Sequence, residues 1–515
     1  MSNIVGIDLG TTFSALAVLN SIGRPETIPV EGSERLMPSA VYFERGGEKV
    51  EEIVGKEALH SRVTNVDRSA RLIKRYMGSP FYPDKVDGSN WSPAKLSSFI
   101  LKELKKECSG QIGEIKDVVI TVPAHFDEVR RKATMDAGEA AGLNVVGIVN
   151  EPTAAALFYA ITQEVAGRIL VFDLGGGTFD VTVMDVKGKD VSIVCSDGDP
   201  HLGGYDFDQK ILDRFDKAYR SKFGVTLYPN AEEKARYELR AEEAKKTLSR
   251  RPSAKEMLFG SAGNLPFEIS REEFEADISP FIAKIEMLIE SVLDEAENKP
   301  GDIDKVLLVG GSSRIPLIQT RLERIFGFEP TTAVNLDEAV ALGAALYAGL
   351  RLMESDTSKV PVAIAAGLGD VKLQDVCNHS YGTIVLSFDD HLKTRLMKND
   401  IIIPKNTPLP CEIEKTYTTV SDGQDALDIR ITQGESEEPD FVTTLVEASM
   451  PLPSGRPRGR PIRVTYGYNK DQRMLCTFVD VEAKRRMVVD FDAKTGESRT
   501  TIEGLAASVS DFIVE

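Results

Sequence analysis

Two copies of one short pattern, Asp8-Leu9-Gly10-Thr11-Thr12-Phe13 and Asp173-Leu174-Gly175-Gly176-Gly177-Thr178-Phe179-Asp180, stand 165 residues apart, from Asp8 to Asp173. Each follows a run of apolar, largely branched residues, 4–7 and 169–172, that reads as a buried strand. The strand brings a carboxylate to its end, and a Gly/Thr turn reverses the chain into a second strand, 14–18 or 181–185. Glycines without Cβ let backbone N–H groups approach phosphate oxygens, threonine hydroxyls add donors, and the Asp can hold a metal ion or its water. One such turn alone is an ordinary hairpin. Its repetition predicts two similar half-domains with a cleft between them, where a polyphosphate can be gripped from both sides.

The rest of the chain alternates strand-like runs (118–122, 191–195, 306–309) with helical ones (92–107, 128–142, 231–249) as far as about residue 350, the pattern of α/β layers. Past Val371 it changes to short alternating strands at 384–388, 401–403, 415–420, 427–432, 463–466, 474–479 and 487–491. Turn signals at Asp422-Gly423 and Asn469-Lys470-Asp471 separate some of them, and 451–461, with four prolines, reads as a loop. Residues 376–500 therefore read as an all-β sandwich.

Composition narrows the function classes. The length of 515 residues, 42% of them apolar, fits about three domains. A formal charge of −18 argues against broad contact with nucleic-acid phosphates. Five cysteines (Cys108, Cys195, Cys377, Cys411, Cys476) are scattered singly, with no metal-ligand spacing to the five histidines, and read as plain thiols in a reducing compartment. No basic stretch precedes the first apolar run, which contains Asp8, so no signal peptide is expected. The run 339–350 is too short to cross a bilayer and reads as a buried helix, so the cytoplasm is the expected location.

Six ordered motifs then carry a resemblance: Asp8–Thr12, Ile120-Thr121-Val122-Pro123-Ala124, Asn150-Glu151-Pro152-Thr153-Ala154-Ala155-Ala156, Asp173–Asp180, His201-Leu202-Gly203-Gly204, and Val309-Gly310-Gly311-Ser312-Ser313-Arg314-Ile315-Pro316. In this order they resemble the seventy-kilodalton heat-shock (DnaK-type) chaperones, strongly over 1–350 and more weakly over 371–495. The resemblance implies a duplicated, ribonuclease H-like actin-type ATPase domain (1–368), a linker (369–376), a β-sandwich substrate-binding domain (377–500) and a short tail (501–515). It also implies an ATP-dependent, stress-related protein-folding activity on unfolded polypeptide, with J-domain and nucleotide-exchange partners and no nucleic acid or membrane.

Carried onto this sequence, the resemblance gives Gly10, Thr11, Thr12, Phe13, Gly176, Gly177 and Thr178 to the phosphates, and Asp8 and Asp173 to the shell of Mg2+ and nearby K+, largely through water. Lys74 would position the attacking water and offset charge developing on the γ-phosphate. Glu151 would orient the metal-bound or attacking water, and Thr178 is the hydroxyl nearest that phosphate. Glu242, Lys245, Lys246 and Ser249 would clamp the nucleoside of ATP or ADP. Lys246 stands where many members have arginine, so stacking there should be weaker. Gly310, Gly311, Ser312, Arg314 and Asp337 complete the site from the other side. Pro123 and Arg131 resemble an interdomain relay, and Val371 and Leu373 the docking residues of the linker.

Departures from the pattern matter as well. The usual Thr-Pro and Leu-Ser-Leu-Gly opening of the β domain is Asn378-His379-Ser380-Tyr381-Gly382-Thr383 here, whereas Pro404–Pro410 and Thr419–Gln424 keep the pattern. The 24 residues after Phe491 are too few for a helical lid, so a shortened, lidless member is expected. Two other readings stay open: a nucleotide-sensing interaction protein with slow or vestigial hydrolysis and one dedicated partner, and a small-molecule kinase on the same fold. The intact linker and β domain disfavour the kinase.

Overall fold

The computed structural model describes residues 5–503 apart from 31, 48, 163–165, 333–335, 357–359, 361, 390–393, 470–472 and 493–496. The turn expected at Lys470-Asp471 and the tail beyond 503 lie outside the described residues. The chain divides into two units, Met1–Phe126 with Ala133–Leu373, and Asp127–Lys132 with Gln374–Glu515.

The first unit repeats one sheet plan twice. Val5–Leu9 pairs antiparallel with Phe13–Leu19 and parallel with Asp117–Val122; Pro25–Thr27 and Asn144–Asn150 flank them. Gly167–Leu174 likewise pairs antiparallel with Phe179–Lys187 and parallel with Lys305–Val309, flanked by Asp190–Asp199 and Thr331–Thr332. Strands between two covered faces must be apolar throughout, and Val5, Ile7, Leu170, Val171 and Phe172 are all fully buried. Lys372–Gln374 extends the second sheet beside Asp190–Asp199.

Each sheet closes on its own core. The first packs under Pro93–Ile112, a helix capped by Ser92, which buries Leu96, Ile100, Leu101, Leu104 and Cys108 on one stripe. The second packs under Gly204–Phe223, Ala231–Leu248 and Arg271–Glu295. The last of these opens with a capping box, Ser270 with Glu273, and buries Phe274, Ile278, Ile282, Ile285 and Ile289 at spacings of three and four. Glu151–Thr162 lies against Ala339–Asp356 so closely that a Cβ at Gly343 would collide with the backbone of Ala154. That contact explains the run of small residues Ala154-Ala155-Ala156, all buried.

The second unit is a sandwich of two antiparallel sheets. One has the order Thr394–Ile403, Tyr381–Asp389, Ala426–Gln433, Thr443–Pro451; the other Cys411–Thr418, Pro461–Tyr468, Arg473–Asp480, Arg485–Asp492, Glu497–Glu503. Alternating inward residues such as Ile429, Ile431, Ile462, Val464 and Tyr466 form its core.

Candidate active site

Strand register fixes the two acidic turns. Asp8 lies opposite Ala15 and Leu9 opposite Ser14; in the second lobe Asp173 lies opposite Asp180 and Leu174 opposite Phe179. The turns face each other: a Cβ on Gly176 would run into the side chain of Thr12, and one on Gly177 into that of Thr11. The first turn thus presents hydroxyls to the bare backbone of the second. Ser39 braces the first, its N–H donating to Thr12 O (2.8 Å) and its hydroxyl to Gly10 O (2.8 Å). The second is braced by Gly175 N–H to Thr178 O (3.0 Å) and by the start of Gly204–Phe223, where Tyr205 N–H donates to Gly176 O (2.8 Å). A helix N-terminus at this turn adds favourable dipole for an anion.

Between the turns a cleft open to solvent, with a cavity volume of about 100 Å³, is lined by Asp8, Gly10, Thr11, Thr12, Phe13, Lys74, Glu151, Asp173, Gly176, Thr178, Gly310, Gly311 and Asp337 among others. Lys74 reaches it from the short turn Ile73–Tyr76 and forms a buried ion pair with Glu151, the first residue of Glu151–Thr162. Burial pushes the Glu151 carboxyl up to about 7 even though Lys74 pulls it down. Burial likewise raises Asp8, held back by Lys74 and by the Thr121 hydroxyl, which donates to it at 3.0 Å. Asp173 stands well above the usual carboxylate range because it is buried and faces Glu151, Asp180 and Asp8. Burial works against the charge of Lys74, but Glu151 and Asp8 outweigh it, so its ammonium is held protonated. Buried carboxylates gathered around a single lysine suit an added cation, and this donor set fits magnesium. Among the described residues no three acidic, His or Cys side chains converge tightly enough to hold a bare ion, so the fit is to carboxylates acting through water.

Of the residues expected at the nucleoside, Gly310, Gly311 and Asp337 line this cavity, whereas Ser312, Arg314, Glu242, Lys245, Lys246 and Ser249 are not among its lining residues. Gly310, in the left-handed region at φ 78°, backs onto Leu174 O, where any Cβ would collide. Arg314 donates to both oxygens of Asp337 (2.9 and 2.8 Å), and Ser312 donates to Gly175 O (2.9 Å). Gly177, Ser312 and Arg314 thus contact lining residues (Thr11, Gly175 and Asp337) without lining the cavity themselves. Glu242, Lys245 and Lys246 lie on Ala231–Leu248 and Ser249 caps it. Lys246 pairs with Glu242 (3.0 Å) and Glu243 (2.9 Å), while Lys245 donates to Gly204 O and Asp208 (both 2.9 Å), which ties this helix to the second turn. Pro123 ends Asp117–Val122; Arg131 is buried on Glu128–Ala140; Leu373 lies in Lys372–Gln374 and Val371 directly before it.

Two residues that the sequence pattern does not single out belong here. Asp180, 1% exposed, accepts from Ala124 N–H (3.0 Å) and contacts His125 Nδ1 (2.9 Å). Its place inside the second motif is the signal that marks it. Asp208, raised to about 6 by burial against the pull of Lys245, has no such signal because its partner is 37 residues away.

The Hsp70 family model matches residues 4–88 and 83–510, almost the whole chain. The chain belongs to the Hsp70 family. A chaperone protein DnaK from Thermotoga neapolitana is 36% identical over 525 residues, covering 99% of this chain and 83% of its own length. The DnaK of Thermotoga maritima is 37% identical over 91% of this chain and 76% of its own, and that of Thermosipho melanesiensis 37% over 97% and 80%. As an Hsp70 protein the chain is a nucleotide-binding, magnesium-dependent ATPase of the chaperone class, with an actin-like domain followed by a β-sandwich.

Proposed function

We propose that the chain binds Mg-ATP between the two facing turns and hydrolyses it to control the binding of unfolded polypeptide by its β-sandwich. The observation that carries this reading is the pair of opposed turns with the Lys74–Glu151 ion pair between them. Thr11, Thr12, Thr178 and the N–H groups at Gly10, Gly176 and Gly177 hold the phosphates; Asp8 and Asp173 hold the water shell of magnesium and nearby potassium. Magnesium, when bound, neutralises charge on the phosphate oxygens. Glu151 orients a water whose oxygen forms the new bond to the γ-phosphorus as the bond to the β-phosphate oxygen breaks. Lys74 offsets the negative charge that grows on the transferred group. Glu242, Lys245, Lys246, Ser249, Gly310, Gly311, Ser312, Arg314 and Asp337 hold the nucleoside.

Control of the β unit runs, in this reading, through Pro123, Arg131 and the linker residues Val371 and Leu373, with J-domain and exchange-factor partners, in the cytoplasm. No described helix is long and apolar enough to cross a membrane. A dedicated partner is the second reading, favoured by the altered segment 378–383: Ser380 and His379 are tied to Gly434 and Glu435 of the sandwich rather than left open. Steady-state ATPase with and without a panel of unfolded peptides separates the two. Broad stimulation supports the chaperone, and none at all supports the dedicated partner. Leu373→Asp is expected to abolish the difference in fluorescent-peptide release between ATP and ADP states while leaving nucleotide binding intact; a difference that persists removes the linker from the coupling.

A further inference from the structure

One stretch of the first lobe reaches the acidic motifs of both lobes. Thr121, near the end of Asp117–Val122, donates to Asp8 (3.0 Å); just beyond it Ala124 N–H donates to Asp180 Oδ1 (3.0 Å), and His125 Nδ1 lies 2.9 Å from the same oxygen. Asp180 is buried, and its other oxygen has no hydrogen-bond partner among the described residues. Strand register sets Asp180 directly opposite Asp173, and such pairs project from one face of the sheet with Cβ atoms about 5 Å apart. This second carboxylate therefore stands beside a residue that lines the cleft. The His125 side chain is only 9% exposed. Its ring meets Phe126 edge-on, with centroids 5.7 Å apart, and lies against the bare backbone of Gly198, where a Cβ would come within 2.9 Å of Nδ1. Nε2 is buried with no partner among the described residues. A proton on Nε2 would be an orphaned donor and would turn the Nδ1 lone pair against a carboxylate oxygen, whereas a proton on Nδ1 makes a hydrogen bond to that oxygen.

We propose that His125 is a positioning residue for ATP hydrolysis: through Nδ1–H it holds the Asp180 carboxylate ionised and in place beside Asp173, and so sets the field in which Glu151 and Lys74 work. This rests on the reading that ATP is hydrolysed between the two turns. Two donors fix one oxygen of Asp180 and leave the other its full acceptor capacity. A buried carboxylate that loses a donor takes up a proton more readily, and without His125 only Ala124 N–H among the described donors would remain to Asp180. The charge of Asp180 is felt by its neighbours: it raises Asp173 and Glu151 and favours the charged form of Lys74. Neutralising it makes Glu151 less basic toward the water it orients and weakens the hold on the Lys74 proton. The rate therefore depends on His125. The grip on the phosphates, made by Thr11, Thr12 and the glycine backbone, does not.

The test uses the full chain. In single-turnover assays His125→Phe, which fills the ring space without a donor, should slow hydrolysis roughly tenfold while the Kd for Mg-ATP changes less than about twofold. His125→Asn, whose amide N–H can stand in for Nδ1–H, should recover most of that loss although it leaves part of the ring space empty; a merely structural role would rank the two variants the other way. In an Asp180→Asn background, His125→Phe should cost nothing further. Histidine-selective NMR of the nucleotide-free wild type should show a proton on His125 Nδ1. Because that signal is read on the wild type, a misfolded variant does not rescue the idea. A ring protonated on Nε2 alone, a His125→Asn variant as slow as His125→Phe or slower, or full additivity with Asp180→Asn overturns it. Lys74→Ala, measured alongside, separates the two levels: hydrolysis at the wild-type rate in Lys74→Ala removes the cleft from the reaction and the role of His125 with it, whereas a slowed Lys74→Ala beside an unimpaired His125→Phe overturns His125 alone.

Discussion

The two lobes of the first unit share a strand plan but divide the chemistry. The first ends its acidic strand at Asp8 opposite a small apolar Ala15, follows with two threonines, and supplies the Lys74–Glu151 pair. The second ends at Asp173 opposite a second carboxylate, Asp180, and follows with three glycines. A duplicated scaffold has therefore been filled asymmetrically: the first lobe carries two threonines and the Lys74–Glu151 pair, the second three glycines, Thr178 and a second carboxylate. The difference teaches that symmetry builds the cleft and that its breaking gives the two faces separate tasks.

Substitutions in one lobe or the other can break this division. The largest effect is expected from Lys74→Ala, which removes the ammonium that lowers both Glu151 and Asp8. It should lower kcat by about 10²- to 10³-fold, roughly 2–4 kcal/mol, with little change in ATP affinity. Single-turnover hydrolysis at the wild-type rate would show that the first lobe is not the hydrolytic one. Gly176→Val should do the opposite and weaken Mg-ADP binding by about 100-fold, close to 3 kcal/mol, because its side chain enters the space of Thr12. Equal Kd values for variant and wild type in a fluorescent-nucleotide titration would mean the turns do not face each other.

The acidity of the cleft offers a finer cut. The Glu151 carboxyl is raised from 4.5 to about 7, so the folded nucleotide-free protein binds this proton more tightly than the unfolded chain. Its contribution to stability is full below about pH 4.5 and lost as pH rises through about 7, at most about 3 kcal/mol. Melting temperature without nucleotide should fall over that window, and Glu151→Gln should flatten the fall; identical pH profiles would remove Glu151 from the account. The smallest effect is expected for Asp180→Ala, which gives the second lobe the residue of the first at that register position. Losing the buried acceptor of Ala124 N–H and the contact to His125 should cost about 1–3 kcal/mol in denaturant unfolding. No change would mean the second carboxylate is idle.

How much of this is legible in sequence follows from distance along the chain. The acidic turns, their strands and the helix that Ser92 caps are local patterns, and the structure places them within a few residues of expectation. Arg271–Glu295 is not predicted because Pro280 interrupts its pattern, although Ser270 and Glu273 cap it. Thr443–Pro451 is missed because only Val446 and Met450 are buried in it, too sparse an alternation to read. Motif residues of the site could be named one by one, since each motif is contiguous. Asp208 beside Lys245 is a pairing that only the tertiary fold creates.

The central claim is that both lobes hold one nucleotide at a single site. Calorimetric titration of Mg-ADP into wild type, Asp8→Asn and Asp173→Asn tests it most directly. The account predicts one site per chain in wild type, weakened by either substitution, with the weakening dependent on magnesium. No binding at millimolar nucleotide, or full affinity in either variant, would contradict it.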